Sequence, residues 1–432
     1  MQTLFIRFVE RTFVIALLLC SMGAATALAY PNLREEDFNS VSGDLHLPIA
    51  ITQAAIYGCG AVLILMRWRR VAGASLRVWP LLLLIGLAPL SAAWSVDPML
   101  TLRKSVLLIA ESAIAIYLGE RYTVNEFARI LAKVLCLTIA ASILLYFVAP
   151  NYVMDLNQEG AWRGLSVQKN AFGMHMATAV LLLLLVRFRR YEWLRYFFLC
   201  TAFVMMLLSR SMTSVATGLL IIILLPLWKM VRLPAKQRLF AYLTGGAVVV
   251  GAGYLFAQNS AAALGLMGRD WTLTGRTVIW EQILVAIGHR PLLGYGFESF
   301  WTGLKGESLD VIVASGWIVP TAHNGFLELL LGFGLLGAWV FLIALVVAFR
   351  NGIEFIRLET GSVAYWPVAF FCFFLVHNLA ESDLMANGSP LGLTIFITIC
   401  TALALEVRSK PECLTEPLRS DPYELSATLV GS

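Results

Sequence analysis

A histidine and an asparagine stand directly before one of the longest apolar runs of the chain. Residues 320–334 read PTAHNGFLELLLGFG, so His323 and Asn324 lie at the start of what the pattern predicts to be a membrane helix. A neutral imidazole can take the proton of an attacking hydroxyl group, and an asparagine beside it can orient the ring or bind a polar substrate. The pair therefore predicts a site at one end of a membrane helix.

The second group of candidates is basic. Arg210 lies in LLSRSMTS and Arg276 in TGRTVIW, both in segments predicted to leave the membrane on the same side as His323. Arginine binds anionic oxygens through a planar fork of donors and stays charged at physiological pH. These arginines therefore suit the binding of an anionic substrate group, next to the hydroxyl group that His323 would deprotonate. Further polar or basic candidates on that side are Arg163, Lys169, Asn170, Arg269 and Arg290.

Composition indicates what must position these residues. Hydrophobic residues make up 59% of the 432, charged residues only 14%, and the mean hydropathy is +0.78. A soluble domain carries about 25% charged residues, so the chain is predicted to be an all-α polytopic membrane protein. Windows of about 19 residues predict about twelve transmembrane helices. They lie near 13–30, 48–66, 79–94, 102–119, 130–149, 168–186, 195–209, 212–228, 239–257, 324–349, 364–380 and 389–406.

The distribution of Lys and Arg predicts the orientation. Basic residues concentrate at the termini and in alternate loops, around 67–77, 187–195 and 229–238, which places both termini in the cytoplasm and His323 outside. This excess of basic residues on the cytoplasmic side accounts for the net charge of +5, so the charge does not indicate nucleic-acid binding. The first apolar segment fits either a retained helix or a signal peptide with an Ala-Leu-Ala cleavage site. The predicted organisation is helices one to nine in 1–257, a large periplasmic loop in 258–323, helices ten to twelve in 324–406 and a cytoplasmic tail in 407–432.

The long loop is expected to be functional, because loops beyond about 15 residues usually are functional or disordered, and this one is not of low complexity. Its segment TVIWEQILVAIG spaces apolar residues as a helix does, with Thr274 as a candidate cap. We expect an amphipathic helix on the outer membrane surface. No CxxC or HExxH pattern predicts a metal, and the cysteines lie within or beside spans or in the tail, so neither cofactor nor disulfide is expected.

Five stretches together resemble the O-antigen ligase and polysaccharide polymerase family of bacterial inner membranes. They are WRGLSVQKNAFG (162–173), LLSRSMTS (207–214), TGRTVIW (274–280), RPLLGYGFESFW (290–301) and AHNGFLELLLGFGLLG (322–337). WSVDP at 94–98 and HNLAESD at 377–383 are similar to the exopolysaccharide polymerase branch. One departure is Gln168, which stands where relatives often have a histidine.

The resemblance implies a metal-independent glycosyltransferase that moves a glycan from undecaprenyl pyrophosphate to a sugar hydroxyl at the periplasmic face. The acceptor is another lipid-linked repeat unit in a polymerase and lipid A core in a ligase; a chain-length regulator or export proteins are conceivable partners. Carried over to this sequence, His323, Arg276 and Arg210 match essential residues. Arg163, Lys169, Asn170, Arg269, Arg290 and Asn324 are the predicted substrate-binding residues, since without a metal cationic donors must stabilise the departing pyrophosphate.

Structural roles compete with each of these predictions. His323 and Asn324 can simply end a helix, and Arg210 can anchor the chain at the membrane interface. For the tryptophans at 271, 280, 301 and 317, a place in the aromatic belt at the interface is favoured over stacking on sugar rings. His377, Glu381 and Asp383 are more readily structural, and His175 has no predicted partner. A transporter is the rival class of protein, but it predicts related halves and binding residues at mid-membrane, and the sequence has no convincing repeat.

Overall fold

The structure, a computed structural model, describes residues 2–29, 47–155, 158–188, 190–234, 236–237, 276–384 and 391–409. Within these ranges the chain is helical apart from its loops and one isolated antiparallel bridge, Met154 to Trp162. The α-helices are α1 (Gln2–Ser21), α2 (Ala24–Ala29), α3 (Leu47–Met66), α4 (Trp68–Arg77), α5 (Trp79–Leu90), α6 (Pro98–Arg121), α7 (Val124–Val148), α8 (Lys169–Leu185), α9 (Glu192–Leu208), α10 (Met212–Lys229), α11 (Arg276–His289), α12 (Ser308–Ser315), α13 (Gly325–Leu358), α14 (Trp366–His377) and α15 (Leu391–Ser409).

A helix covers each predicted span that falls among the described residues; the ninth, 239–257, lies outside them. Four helices, α7, α10, α13 and α15, are each long and apolar enough to cross a membrane, and α3 with α4 forms a pair bent by 94°. The all-helical class of membrane protein is therefore confirmed over these residues. The number of crossings stays a prediction.

Two short apolar helices, α8 and α14, occupy the centre of the bundle. Nearly every residue of α8 is buried, and α14 buries Trp366, Phe370, Phe373 and Phe374. A helix that is apolar on all sides must be enclosed by protein or lipid, and here α10 packs against both. The surrounding helices α5, α6, α7, α9, α10 and α13 expose large apolar side chains on their outer sides, as expected of surfaces that face lipid.

Basic residues collect at the end of the bundle opposite to His323. Arg121 pairs with Glu10 at 2.7 Å, and Arg67 lies 3.5 Å from Glu120. Arg232 caps the other end of α13 by donating to the Ile356 carbonyl at 3.0 Å. Arg67 and Arg232 belong to loops that the charge pattern placed together on one side; which side of the membrane they face stays a prediction.

Helix α1 packs into the bundle. Val14 and Leu18 are fully buried, and Glu10 accepts from Arg121. Whether this segment is retained or cleaved stays a prediction.

Helix α13 is broken near its outer end. Gly334 has φ 60° and ψ −155°, so 325–333 and 335–358 are separate helices. The chain at 291–296 fills the break: Tyr295 N–H donates to the Leu331 carbonyl at 2.7 Å, and Leu335 N–H donates to the Pro291 carbonyl at 2.8 Å. Irregular backbone is tolerated at membrane depth only where protein satisfies its hydrogen bonds, and the PLLGYG segment does so here.

Replacing Gly334 by alanine is expected to destabilise the protein by at least about 2–3 kcal/mol, because the left-handed backbone is strained for alanine and the new Cβ would lie 2.4 Å from the Leu292 carbonyl carbon. Thermal unfolding in detergent measures this. Gly86→Ala is the matched control, since Gly86 lies in α5 and a Cβ added there would meet no atom within 4 Å. Equal melting temperatures for the two variants would contradict the close packing of the 291–296 segment against the break.

Helices α11 and α12 and the chain around them form a cap over the outer end of α13. The cap has its own small core, in which Ile279 and Ile283 pack with Tyr295, Phe300 and Val311. The predicted helix at 278–287 is present, but its apolar residues divide between two directions. Ile279 and Ile283 point into the cap core, whereas Val278 and Leu284 are exposed, so the inner face meets protein and not the membrane surface.

Candidate active site

A short loop after α14, residues 378–384, holds the start of α13 in place. Gly325 N–H lies 2.8 Å from the Asn378 carbonyl and 2.9 Å from the Glu381 carbonyl, and Asn324 N–H donates to Ser382 Oγ at 3.0 Å. A Cβ on Gly325 would lie 2.3 Å from Asn378 Oδ1. Only glycine permits this approach, which gives the glycine of the HNG motif a structural reason.

Arg276 and His323 meet at one carboxylate of that loop. Arg276 Nη2 donates to Glu381 Oε1 at 3.0 Å, and its Nη1 donates to the Ala380 carbonyl. His323 Nδ1 lies 4.0 Å from Glu381 Oε2. That separation exceeds a hydrogen bond, so the link to the ring is electrostatic in this conformation. The structure thus brings together the two residues that the sequence pointed to most strongly, 47 positions apart in the chain.

Glu381 is an ionised carboxylate in this cluster. Burial on its own would raise its pKa, but the neighbouring His323 imidazole and the Arg276 guanidinium outweigh burial and lower the pKa to about 2. Glu381 is therefore anionic at every physiological pH. The negative charge 4.0 Å from Nδ1 favours the tautomer that carries its proton on that nitrogen, which leaves Nε2 as the acceptor.

The backbone of His323 is held in an unfavourable conformation. Its φ is +47°, a left-handed value that non-glycine residues rarely adopt. Both polar groups of the Ala322 backbone are fixed: the N–H donates to Glu328 Oε1, and the carbonyl accepts from Trp280 Nε1 at 2.8 Å. Trp301 Nε1 donates to both Glu328 oxygens at 3.1 Å. Backbone strain that several partners hold in place is found preferentially at functional sites, which keeps His323 as a candidate.

Trp280→Phe tests this arrangement. The variant keeps an aromatic ring in the cap but loses the donor to the Ala322 carbonyl, and a hydrogen bond of this kind contributes about 0.5–1.5 kcal/mol. We expect transfer activity to fall by about 2–10-fold with little change in expression. Trp339→Phe is the control, because Trp339 is exposed on α13 beyond the break. A rate equal to wild type in Trp280→Phe would remove the indole from the positioning of His323.

Asn324 caps the N-terminus of α13. Its Oδ1 accepts from Phe326 N–H at 3.0 Å and Leu327 N–H at 3.1 Å, and its Nδ2 donates to the Leu379 carbonyl at 3.1 Å. This is the geometry of an N-cap, with the side chain also tied to the 378–384 loop. Most of its hydrogen-bonding capacity is therefore used, and the structural alternative for Asn324 accounts for its contacts.

Arg210 and Lys169 lie on either side of another loop. Arg210 Nη1 donates to the Glu159 carbonyl at 2.9 Å, and Lys169 Nζ donates to Gln158 Oε1. Arg210 is exposed and also has a left-handed backbone, with φ +52°. Two cations thus flank the same short segment at the His323 end of the bundle. Asn170, partly buried, follows Lys169 in the first turn of α8.

The remaining candidates do not join this group. Arg163 is 1% exposed, with Nη2 donating to the Asn151 carbonyl at 3.3 Å and its pKa lowered by burial. Arg290 lies beyond the far end of α11 from Arg276, and the 14 residues of that helix span about 20 Å. Arg269 lies outside the described residues, as do Trp271 and the predicted cap Thr274.

A buried polar connection joins the Arg210 turn to the Glu381 loop. His377 is 1% exposed; its Nε2 lies 3.2 Å from Ser214 Oγ, and Ser214 Oγ lies 3.0 Å from Ser211 Oγ. On the other side His377 Nδ1 is 3.0 Å from Asp383 Oδ2, close but not aligned as a hydrogen bond. His175, fully buried, faces Ser166 Oγ at 3.0 Å. These histidines tie three segments together beneath the site.

Two comparisons with known proteins bear on this geometry. Residues 195–342 match the family described as O-Antigen ligase. That range includes the Arg210 turn, Arg276, His323 and Glu328. This match supports the resemblance to the O-antigen ligase and polysaccharide polymerase family that the motifs indicate.

A curated relative extends the likeness over most of the chain. The chain is 26% identical over 410 residues to the exopolysaccharide production protein ExoQ of Rhizobium meliloti (strain 1021), which covers 87% of this chain and 88% of that protein. Together the two matches support the resemblance to membrane ligases and polymerases of polysaccharides that was stated from the motifs.

Within and beside the matched range, two carboxylates have contacts that the sequence did not indicate. The sequence favours a structural role for Glu381, yet it is the residue on which Arg276 and His323 converge. Glu328 is absent from the predicted site, although it stands five positions after His323, in the first turn of α13, and fixes the peptide before that histidine. The sequence did contain one indication of Glu328: it is an acidic residue in an otherwise apolar helix. Because a charged side chain is costly in a membrane, such a residue is a candidate for a functional role.

Proposed function

We propose that the protein is a polymerase that joins lipid-linked glycan repeat units at the periplasmic face of the bacterial inner membrane. The observation that carries the proposal is the cluster in which one ionised carboxylate, Glu381, pairs with Arg276 at 3.0 Å and lies 4.0 Å from His323 Nδ1. The cluster is partly exposed through His323. It lies at the end of the bundle away from the basic loops, which is the end that the charge rule places outside.

The proposed chemistry is a single displacement. A hydroxyl oxygen of the acceptor sugar attacks the anomeric carbon of the donor glycan, while the hydroxyl proton passes to His323 Nε2. The bond from the anomeric carbon to the phosphate oxygen breaks, and its electron pair leaves with undecaprenyl pyrophosphate. Glu381, with Arg276 behind it, stabilises the imidazolium that forms. The proton then returns to solvent, and no further reactant is required.

The departing diphosphate gains negative charge and needs cationic donors. Arg210 and Lys169 suit this role because they flank the 158–159 segment and Arg210 is exposed. Arg276 suits it less, since its fork already grips the Ala380 carbonyl and Glu381. We therefore assign Arg210 to the diphosphate and Arg276 to the positioning of His323 through Glu381.

An exposed aromatic ring lies next to the proposed base. Trp317 is 45% exposed, and its ring centroid is 6.3 Å from that of His323. Trp280 and Trp301, in contrast, commit their indole N–H groups inside the cap. Of the described tryptophans in the long loop, Trp317 is the one whose face can meet a sugar ring, which prefers such apolar, electron-rich surfaces.

The second candidate is an O-antigen ligase, which the matched family description favours. The relative named for exopolysaccharide production, together with WSVDP and HNLAESD, favours a polymerase. Both reactions use the same cluster and differ in the acceptor. The acceptor is therefore the variable that an experiment must change.

Purified protein in liposomes, supplied with lipid-linked repeat units, tests the proposal. A polymerase lengthens the glycan without ATP or an ion gradient, seen as a ladder on a gel. Adding lipid A core separates the two activities, because a ligase modifies the core and makes no ladder from repeat units alone. Movement of the substrate across the vesicle with no new glycosidic bond would support a transporter and end the enzyme proposal.

A further inference from the structure

The cap carries an exposed apolar tip, which we define as residues 290–293, directly after α11. Leu292 is 66% exposed and Leu293 41%, beside the exposed Arg290. The Arg290 guanidinium lies over the Tyr295 ring, 4.9 Å from its centroid, and Nη1 donates to the Trp94 carbonyl at 3.5 Å. Neither contact neutralises the charge. Within the described part of the chain, no carboxylate lies within ion-pair distance of this arginine.

The tip continues the apolar sides of two membrane helices. Leu335 and Leu336, 46% and 43% exposed, donate their N–H groups to the carbonyls of Pro291 and Leu292. On the other flank, Trp94 Nε1 donates to the Leu293 carbonyl at 2.9 Å, and Trp94 follows α5, whose Leu90 is exposed. A contiguous exposed apolar surface of this kind marks an interaction site, and here it merges with the surfaces that face lipid.

We infer that the tip is seated in the adjacent membrane leaflet and that Arg290 binds the phosphate of an anionic phospholipid. The leucines would reach the boundary between headgroups and acyl chains, as apolar faces of interfacial segments do. The guanidinium would then lie at headgroup level, where its fork matches phosphate oxygens. Trp94, whose indole N–H is already bonded, adds an aromatic ring of the kind enriched at this depth.

The inference gives Arg290 a site separate from the Glu381 cluster. The length of α11 keeps Arg290 about 20 Å from Arg276, too far for both to hold one diphosphate. The occupant is therefore a bulk phospholipid, and the tip anchors the cap to the leaflet surface. This conclusion does not depend on glycan transfer, so it can fail or hold independently of the proposed function.

The amount of phospholipid retained by the purified protein tests whether the Arg290 charge binds anionic headgroups. The full chain is released from nanodiscs that contain equal parts phosphatidylglycerol and phosphatidylethanolamine. Native mass spectrometry then measures how many lipid molecules stay bound to it. A basic residue near an anionic surface contributes about 1 kcal/mol, which corresponds to about a fivefold change in binding. We expect Arg290→Gln to retain about fivefold less phosphatidylglycerol than wild type. Lys305→Gln, which removes an exposed cation elsewhere in the cap, should retain as much as wild type.

Photo-crosslinking to phospholipid tests whether the tip lies in the membrane leaflet. Leu292 and Leu304 are exposed to the same extent, 66% and 67%, but Leu304 lies outside the tip. A benzophenone amino acid at 292 should yield phospholipid adducts at least about ten times as often as one at 304. Equal adducts at both positions would overturn the inference. So would unchanged phosphatidylglycerol retention in Arg290→Gln, or a loss confined to added polyprenyl phosphate, which would make the donor lipid the occupant.

Discussion

Replacing His323 is expected to lower the rate of glycan transfer by about 10²–10⁴-fold, the usual contribution of a positioned general base. His323→Asn is a sharper variant than His323→Ala, because asparagine adopts the left-handed backbone more readily than alanine. The residue at 323 has φ +47°, so His323→Asn keeps the loop while removing the imidazole. Single-turnover transfer from lipid-linked repeat units, at saturating acceptor, measures the effect on the chemical step.

The control for this experiment is another histidine of the same cap. His289 is exposed and pairs with Glu307 at 3.1 Å, away from the Glu381 cluster. His289→Ala should transfer glycan at the wild-type rate. If His323→Asn also does so while its melting temperature is unchanged, His323 has no part in the proton transfer, and the cluster must be assigned another role.

Glu381→Gln is expected to have the second large effect, on both stability and activity. The substitution preserves the shape but leaves Arg276, which is 15% exposed, without its counter-charge. Removing one partner of a buried pair costs about 3–5 kcal/mol. Transfer should fall by at least about 10²-fold, because the ring of His323 loses the anion that favours the reactive tautomer. Thermal unfolding and the pH profile of transfer together measure the two effects.

A double variant separates positioning from stability. Arg276→Gln combined with Glu381→Gln leaves no unpaired buried charge, so part of the lost stability should return. Transfer should not return, because the negative charge beside His323 is still missing. Recovery of both would indicate that the pair is structural. Arg276→Lys alone should transfer poorly, because a single ammonium cannot hold both the Ala380 carbonyl and the Glu381 carboxylate as the guanidinium does.

The pH dependence of stability follows from the lowered pKa of Glu381. The pKa is about 2 in the folded protein against 4.5 ordinarily, so ionisation favours the folded state above about pH 4.5 and this contribution is lost as the pH falls toward 2. The difference in melting temperature between wild type and Glu381→Gln should therefore be constant from about pH 8 to about pH 5 and shrink below it. A difference that disappears near neutral pH would contradict the assignment.

The sequence predicted the helices well because the membrane imposes a single strong rule. Long apolar segments must be helical there, and each described span contains a helix. The length of α13 was underestimated, with 324–349 predicted and Gly325–Leu358 observed. Hydropathy alone cannot locate the break at Gly334, because the backbone that enters it comes from residues 291–296, a contact between distant segments that no local pattern records.

The candidate site was predictable in its residue types and less so in its roles. Motifs pointed to His323, Arg276 and Arg210, and the structure adds a contact of Arg276 with Glu381 that the sequence did not indicate. Arg163, a predicted substrate-binding residue, is buried among loop carbonyls, and its role stays a prediction. A guanidinium has the same sequence signature in either role, since its partners are decided by tertiary contacts. Our proposal that Arg276 positions His323 while Arg210 binds the diphosphate therefore depends on the geometry of the 378–384 loop.

The break in α13 also separates a segment long enough to cross the membrane from the segment that follows His323. Residues 335–358 alone extend about 36 Å, more than the ~30 Å hydrocarbon layer requires, so the outer segment 325–333 is free of the need to span. Its nine residues extend about 13 Å along their own axis. Adding one residue to this segment would shift the histidine by about 1.5 Å along that axis relative to Gly334 and turn it by about 100°.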